Sequence, residues 1–170
     1  MRSLLPFCCA VAAATVLTAA RADEAKHPFS VRDMVAMERL ASPRPSPDGG
    51  RVVFTRRVYD AEANRNFTSL WIVPIDGGEP RRLTGAQAAD TAPSWSPDGK
   101  SIAFISDRGG SSQVWAIDPS GGEARRVTDL PVDLDNVQWS PDGTRLAFSA
   151  EVYPDCPDLA CTAKRDKEKN

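Results

Sequence analysis

The stretch Pro93–Thr128, PSWSPDGKSIAFISDRGGSSQVWAIDPSGGEARRVT, contains every part of a four-stranded antiparallel β unit. The β-branched and aromatic residues of IAFIS are typical of a buried strand. The alternation in Gln113–Ile117 predicts the next strand, and residues 124–128 form a short one at the edge. Turn residues separate these segments, as in hairpins. The stretch therefore predicts one small twisted sheet.

Copies of this unit lie on both sides of it. The motif of Trp95–Gly99 recurs at Pro45–Gly49 and at Trp139–Gly143, so that the three serines lie 50 and then 44 residues apart. The block GGEPRRLT at 77–84 recurs as GGEARRVT at 121–128, again 44 residues on. A period in the mid-forties is typical of β-propeller blades.

The repeat predicts an all-β fold, a partial β-propeller of about two and a half four-stranded blades with a short N-terminal helix. We expect a signal peptide over residues 1–22, and a leader and helix over 23–40. The incomplete propeller domain covers 41–170. Its blades cover about 41–85, about 91–130 and, in part, 136–170.

The repeated Ser-Pro-Asp-Gly motif has two interpretations. Proline presets the first corner of a turn, and glycine accepts the positive φ that closes a hairpin, so a tight structural turn is favoured over a ligand-binding loop. The tryptophans likewise suit packing between blades better than a binding surface, because they share the 44-residue spacing. They are Trp71, Trp95, Trp115 and Trp139.

The first blade is longer than the second by six residues. The extra length is assigned to a polar loop, Tyr59–Phe67, where insertion costs little. Asn66 begins an Asn-Phe-Thr sequence, which matches a glycosylation acceptor.

A short helix precedes the first blade. Ser30 is followed three positions later by Asp33, which is an N-cap signature. Apolar residues then fall on one helical face, which predicts an amphipathic helix over about 31–40 that packs on the first blade. That face comprises Val31, Met34, Val35 and Leu40.

Residues Met1–Ala22 match a secretory signal peptide. Arg2 supplies the positive start, Leu4–Ala20 is uncharged and largely apolar, and Ala20-Arg21-Ala22 fits a cleavage site. A transmembrane anchor is the alternative. We expect export to the periplasm or medium, with no membrane span left after cleavage. A net charge of −2 does not favour nucleic acid as a partner.

Cys156 and Cys161 lie five residues apart. In an exported protein this spacing favours a local disulfide that pins a loop. A metal pair is the alternative, although two cysteines without further ligands do not complete a zinc site. The charged run Lys164–Lys169 is interpreted as a solvated loop.

The sequence contains no recognisable catalytic or cofactor-binding motif, so no catalytic residue and no cofactor are predicted. His27 is the only histidine, and it lies in the leader with no predicted role. No G-x-S-x-G nucleophile motif is present. Asp133, Asp135 and Asn136 suggest calcium, but too few oxygen ligands lie in register, and a blade-connecting loop is favoured.

Taken together, these features resemble the start of the prolyl oligopeptidase (S9) family. Residues 29–49, FSVRDMVAMERLASPRPSPDG, and the W-S-P-D-G blades are similar to its exported dipeptidyl-peptidase 5-like and acylaminoacyl-peptidase-like branch. Residues 151–165, EVYPDCPDLACTAKR, are similar to the loop after the third Ser-Pro-Asp-Gly there. No family motif assigns a role to Glu151 or Asp155.

The resemblance implies a propeller that caps a C-terminal α/β-hydrolase domain with a Ser-Asp-His triad. Such an exported serine exopeptidase hydrolyses short peptides, and its propeller restricts their access and helps to hold their N-terminus. None of the triad positions matches this chain, which we expect to be inactive alone. The oligomeric state is left open.

About two and a half blades do not close a propeller ring, so we expect this chain to be the N-terminal part of a larger protein. The first alternative is a non-enzymatic Tol-type periplasmic propeller that binds partner proteins. The second is a degenerate fragment without function. The coding sequence beyond Asn170 discriminates between them.

Overall fold

The computed structural model describes residues 28–85 and 88–169, so the predicted signal peptide and His27 lie outside the described residues. None of the helices in that part of the chain is long and apolar enough to cross a membrane. The elements are α1 (Val31–Ala36), β1 (Arg39–Pro45), β2 (Arg51–Asp60), β3 (Arg65–Pro74), β4 (Arg81–Arg82), β5 (Thr91–Trp95), β6 (Ile102–Ser106), β7 (Gln113–Ile117), β8 (Arg125–Arg126), β9 (Leu134–Trp139), β10 (Leu146–Ala150) and α2 (Leu159–Lys169).

The strands form three antiparallel sheets in chain order. Blade one is β1-β2-β3-β4, blade two is β5-β6-β7-β8, and the third unit is the pair β9-β10. The predicted all-β partial propeller with a short N-terminal helix is confirmed. Each blade turns back through hairpins, so neighbouring strands in sequence are also neighbours in space.

The core lies between successive sheets. Ile102 and Phe104 of β6 join Leu70 and Ile72 of blade one in one apolar cluster. Successive residues of a strand point to opposite faces, so Ala103 and Ile105 lie on the other face of β6 and pack in a second cluster toward the third unit. All five residues of β6 are buried, because both faces are covered.

Polar contacts also join the blades. The indole Nε1 of Trp95 donates a hydrogen bond to the carbonyl of Arg44 at 3.0 Å, and Trp95 is buried. Nη2 of Arg81 donates to the carbonyl of Pro119 at 2.6 Å. The prediction that the tryptophans pack between blades is confirmed for Trp95.

The predicted helix bounds are wrong at the C-terminal end. Ser30 and Asp33 form the expected capping box, but α1 ends at Ala36, and Met37 adopts an extended backbone with ψ 125°. Arg39 then pairs with Arg57 as β1 begins. Leu40 therefore belongs to a strand and is 68% exposed, because strand pairing replaces the last helical turn.

The predicted polar loop Tyr59–Phe67 is mostly strand. Its residues extend the β2–β3 hairpin, with Tyr59 opposite Asn66 and Asp60 opposite Arg65, and leave only residues 61–64 as the turn. The extra residues thus lengthen two paired strands, whose backbone groups satisfy each other.

The charged run Lys164–Lys169 is helical and not a loop. It forms the end of α2, in which Leu159 and Ala163 lie one turn apart and pack against the second apolar cluster. Arg165 binds the carboxylate of Asp155 with both nitrogens, at 2.6 and 2.8 Å. These contacts stabilise a helix whose charged end alone lacks apolar periodicity.

Candidate functional site

The innermost strand of each sheet contains a bulge at the same position of the repeat. Ser42, Ala92 and Asn136 have φ values of 50°, 50° and 48°, in the left-handed region that residues other than glycine seldom adopt. Each lies four positions before the serine of the Ser-Pro-Asp-Gly motif. Such backbone strain, of order 1–3 kcal/mol per residue, tends to cluster at functional sites.

The strand register shows the same feature. The pairing shifts between Ala41 and Arg44 in β1 and between Thr91 and Ser94 in β5. In the third unit the shift falls at Asn136, which the ladder skips. The bulges turn the backbone of all three inner strands in the same way, so they belong to the repeat and not to one blade.

A cleft of about 340 Å³ lies along these bulges, and we take it as the candidate functional site. We call it the inner-strand cleft. Its polar groups are the guanidinium of Arg44, the amides of Asn136 and Gln138 and the hydroxyl of Ser149, beside the 41% exposed ring of Phe148. The remaining lining residues are Ala92, Pro93, Val137 and Ala147.

This set of groups can bind but does not form a proton-transfer site. The lining contains one cation, amides, a hydroxyl and an aromatic ring, and no carboxylate or imidazole is among the described residues that line it. Nδ2 of Asn136 donates to Oγ of Ser149 at 3.2 Å, and that hydroxyl donates to the carbonyl of Asp135 at 2.8 Å. The cleft therefore offers hydrogen-bonding groups and one positive charge to a ligand.

The Ser-Pro-Asp-Gly turns do not contribute ligand groups. In the third unit, Oγ of Ser140 donates to Oδ1 of Asp142 at 2.5 Å and accepts the backbone N–H of Arg145 at 2.9 Å. The same oxygen of Asp142 accepts the N–H of Thr144 at 3.0 Å. These hydrogen bonds lower the pKa of Asp142 to about 2, with that from the Ser140 hydroxyl the largest cause. The favoured interpretation as a structural turn is confirmed.

The acidic group near the start of β9 is engaged by the protein's own backbone. Oδ1 of Asp133 accepts the N–H of Ser112 at 2.7 Å, and Oδ1 of Asp135 accepts the N–H of Asn136 at 2.8 Å. Asp133 lies in the connection between sheets, as expected for a blade-connecting loop. Asp135 and Asn136 instead lie within β9, so that interpretation is wrong for them.

The cysteine pair lies before and within α2. Cys156 and Cys161 form a disulfide with their Cα atoms 5.4 Å apart. Asp155, next to the first cysteine, binds Arg165, whose hydrogen bonds lower the pKa of that carboxyl. Glu151 is exposed beside a separate acidic cleft. Neither the disulfide nor these carboxylates line the inner-strand cleft.

Sequence reasoning missed Arg44, Ser42 and Ala92, and it considered Asn136 only as a calcium ligand or a loop residue. The constant offset of four positions before the motif serine was a usable signal. It was not recognised because serine, alanine and asparagine share no side-chain chemistry, and only the backbone angle makes them equivalent.

Comparison with known proteins gives the family. Residues 30–156 match the model described as the TolB beta propeller domain, or PD40. The chain belongs to this family. A segment of 80 residues of this propeller is 34% identical to dipeptidyl-peptidase 5 of Porphyromonas gingivalis, covering 47% of this chain and 12% of that protein. The predicted resemblance to the propeller of prolyl oligopeptidase-family peptidases is confirmed.

Two solved structures show related folds. The acylaminoacyl peptidase of Pyrococcus horikoshii superposes with a TM-score of 0.59 at 23% identity, over 74% of this chain and 19% of that one, which shows the shared fold. The putative TolB of Agrobacterium tumefaciens gives 0.54 at 30% identity, over 67% of this propeller and 39% of that chain. The propeller thus spans well under half of each of these proteins.

Proposed function

We propose that this chain is the propeller portion of an exported serine exopeptidase and controls the access of short peptides to a catalytic α/β-hydrolase domain. The observation that carries the proposal is the 34% identity over 80 residues to dipeptidyl-peptidase 5. Fold alone does not assign function, and so the sequence match carries more weight than the superposition.

The inner-strand cleft gives the proposal its physical basis. An extended peptide has unpaired N–H and C=O groups, for which the amides of Asn136 and Gln138 are suitable partners. Arg44 attracts a carboxylate or a carbonyl oxygen, and Phe148 covers an apolar side chain. The bulged strands place these groups on one surface, where an extended peptide can contact several of them at once.

Export is part of the proposal. It is supported by the signal-peptide pattern of Met1–Ala22 and by the Cys156–Cys161 disulfide, since disulfides persist in oxidising compartments. We place the protein in the periplasm or the medium.

The test uses the complete native product. We expect a fluorophosphonate probe to label it and dipeptidyl-aminomethylcoumarin substrates to be hydrolysed. Arg44→Ala and Phe148→Ala should change the ratio of kcat/KM between long and short peptides, because the cleft has changed. Arg125→Gln is the matched control, since that arginine is exposed on β8 in blade two.

The second candidate function is a non-enzymatic propeller that binds partner proteins, which the 30% identity to the putative TolB favours. A native product that the fluorophosphonate probe does not label, and that hydrolyses none of the peptides, would exclude the peptidase and leave the binding propeller. If labelling occurs but the two cleft variants behave like Arg125→Gln, the gating role is wrong.

A further inference from the structure

A second cleft, of about 470 Å³, lies between α1 and the part of the long β2–β3 hairpin of blade one that is next to its turn. Its polar side is formed by Arg39, Arg57, Tyr59 and Asn66, and we call it the arginine cleft. Its apolar side is formed by Met34, Val35 and Met37. Its lining is entirely separate from that of the inner-strand cleft.

The two arginines of this cleft lie directly opposite each other. Arg39 of β1 and Arg57 of β2 are register partners in the antiparallel pair, so their side chains project from the same face at close range. Like charges in that position destabilise a sheet. Arg56, one residue away, points to the other face and is paired with Glu38.

Neither arginine is neutralised by a carboxylate of the described residues. Within residues 28–85 and 88–169, Arg39 and Arg57 have no ion pair and no side-chain hydrogen bond. The nearby acids are engaged elsewhere: Glu38 binds Arg56, and Asp33 accepts the hydroxyl and the N–H of Ser30. Both arginines are exposed, and in this part of the chain their two adjacent guanidinium groups have no carboxylate partner.

The other lining residues are apolar and exposed. Met34, Val35 and Met37 have 47%, 43% and 53% of their surface accessible. Methionine side chains are flexible and polarisable, and they adapt to apolar groups of different shape. The cleft thus combines a doubly positive side with an adaptable apolar side.

We propose that the arginine cleft binds a peptide segment in which a carboxylate is followed by apolar side chains. Paired guanidinium groups present planar donors that match a carboxylate, and such charge-assisted bonds are stronger than neutral ones. The apolar wall receives the neighbouring side chains, which a free inorganic anion does not have. The ligand also removes the repulsion between Arg39 and Arg57.

The experiment measures fluorescence anisotropy with the complete native protein. The probe is a fluorescein-labelled hexapeptide of alternating leucine and glutamate, and the comparison peptides replace glutamate by glutamine or by lysine. We expect saturable binding of the glutamate peptide only. Arg39→Gln and Arg57→Gln should each weaken it at least about tenfold, because one of the two charge-assisted contacts is lost.

Three further variants separate the contributions. Arg57→Lys keeps the charge but loses the planar donor pair, and it should give intermediate binding. Met34→Ser should weaken the binding of the glutamate peptide, because part of the apolar lining is lost. It should leave the affinity of the cleft for inorganic phosphate unchanged. Arg125→Gln, on an exposed edge strand of blade two, is the control and should bind like the unmodified protein.

Thermal denaturation shows whether the variants fold. Arg57→Gln should keep or raise Tm, because it removes a like-charge contact. The proposal is overturned if no peptide binds up to about 1 mM, the range of very weak complexes. It is also overturned if the double variant Arg39→Gln, Arg57→Gln binds normally, or if phosphate binds at the arginines and the glutamate peptide does not.

Discussion

Strands β6 and β10 occupy the same place in the repeat and have similar sequences, IAFIS and LAFSA, but very different surroundings. Phe104 in β6 has no exposed surface, whereas Phe148, 44 residues on, is 41% exposed. In blade two, β6 is paired on both edges and covered on both faces. Within the described residues β10 pairs only with β9. Burial is therefore decided by the neighbouring sheets and not by the local sequence.

The outer part of each unit extends the comparison. In blade two, Ile117 of β7 and Ala124 pack into the cluster shared with blade one. In the third unit, Leu159 and Ala163 of α2 pack into the cluster shared with blade two. A helix thus provides apolar contacts to blade two, as outer strands do for blade one. Either element can cover a sheet face if its apolar residues share one side.

The largest expected difference is between two truncations of the same aromatic residue. Phe104→Ala should destabilise the protein by about 3–5 kcal/mol, because it leaves a cavity in a closed core. Phe148→Ala should cost less than about 1 kcal/mol, as a half-exposed site collapses more easily. Urea denaturation of the 170-residue chain measures both, because the comparison is between two positions of this chain.

Equal losses of stability for the two variants would contradict the comparison, because they would mean that Phe148 is buried in this chain as well. A control for general tolerance is Val127→Ala, whose side chain is 37% exposed in blade two.

The second prediction concerns the connection between blade two and the third unit. The buried side chain of Gln113 donates to the carbonyls of Leu130 and Val132 at 3.1 and 3.0 Å, and accepts from Leu130 N–H at 3.0 Å and Thr128 Oγ1 at 2.8 Å. Gln113→Leu leaves these groups unpaired and should lower the free energy of unfolding by about 2–3 kcal/mol.

Amide hydrogen exchange shows which strands lose stability in the Gln113→Leu variant. We expect faster exchange in β9 and β10, because the linker to the third unit loses its anchor. Ser69 lies at the corresponding position of blade one. Among the described residues its hydroxyl accepts only the indole N–H of Trp71, at 3.1 Å, so Ser69→Ala is the matched control with a smaller effect. Unchanged exchange in β9 and β10 of the Gln113 variant would contradict this role.

The smallest expected effect is a pH dependence of stability that arises from the aspartates of the Ser-Pro-Asp-Gly turns. The pKa of Asp142 is about 2, below its ordinary value of 3.8, because the Ser140 hydroxyl and the backbone stabilise the ionised form. Hydrogen bonds from the same motif also lower the pKa of Asp98. A carboxyl with a lowered folded-state pKa contributes stability above its unfolded pKa, and that contribution is lost as the pH falls from about 4 through about 2.

A titration by nuclear magnetic resonance tests this sign. Ser140→Ala should move the pKa of Asp142 up toward 3.8, and Ser96→Ala should do the same for Asp98 in blade two. An Asp142 that titrates at its ordinary value in the unmodified protein would show that the turn of the third unit does not form these bonds.

Much of the fold could be predicted from the sequence, because the pattern of strands and turns in one blade recurs in the next. The site could be predicted only in part. The turn role of the Ser-Pro-Asp-Gly motif was predicted from local chemistry, whereas the bulge at Ala92 depends on a backbone angle that alanine does not signal. The pair Arg39 and Arg57 was missed because the helix was extended over Arg39, and the loop was placed just after Arg57.

By itself the sequence determined the blade period, the Ser-Pro-Asp-Gly turns and the alternation of strands, since these depend on residues close along the chain. Only the tertiary structure decided which of two equivalent residues is buried and which is exposed. Phe104 is buried and Phe148 is exposed, and the charged run after Leu159 is a helix. Both outcomes depend on packing between sheets, which involves contacts that no local sequence pattern encodes. Long-range burial adds to local propensity and overrides it where the two disagree.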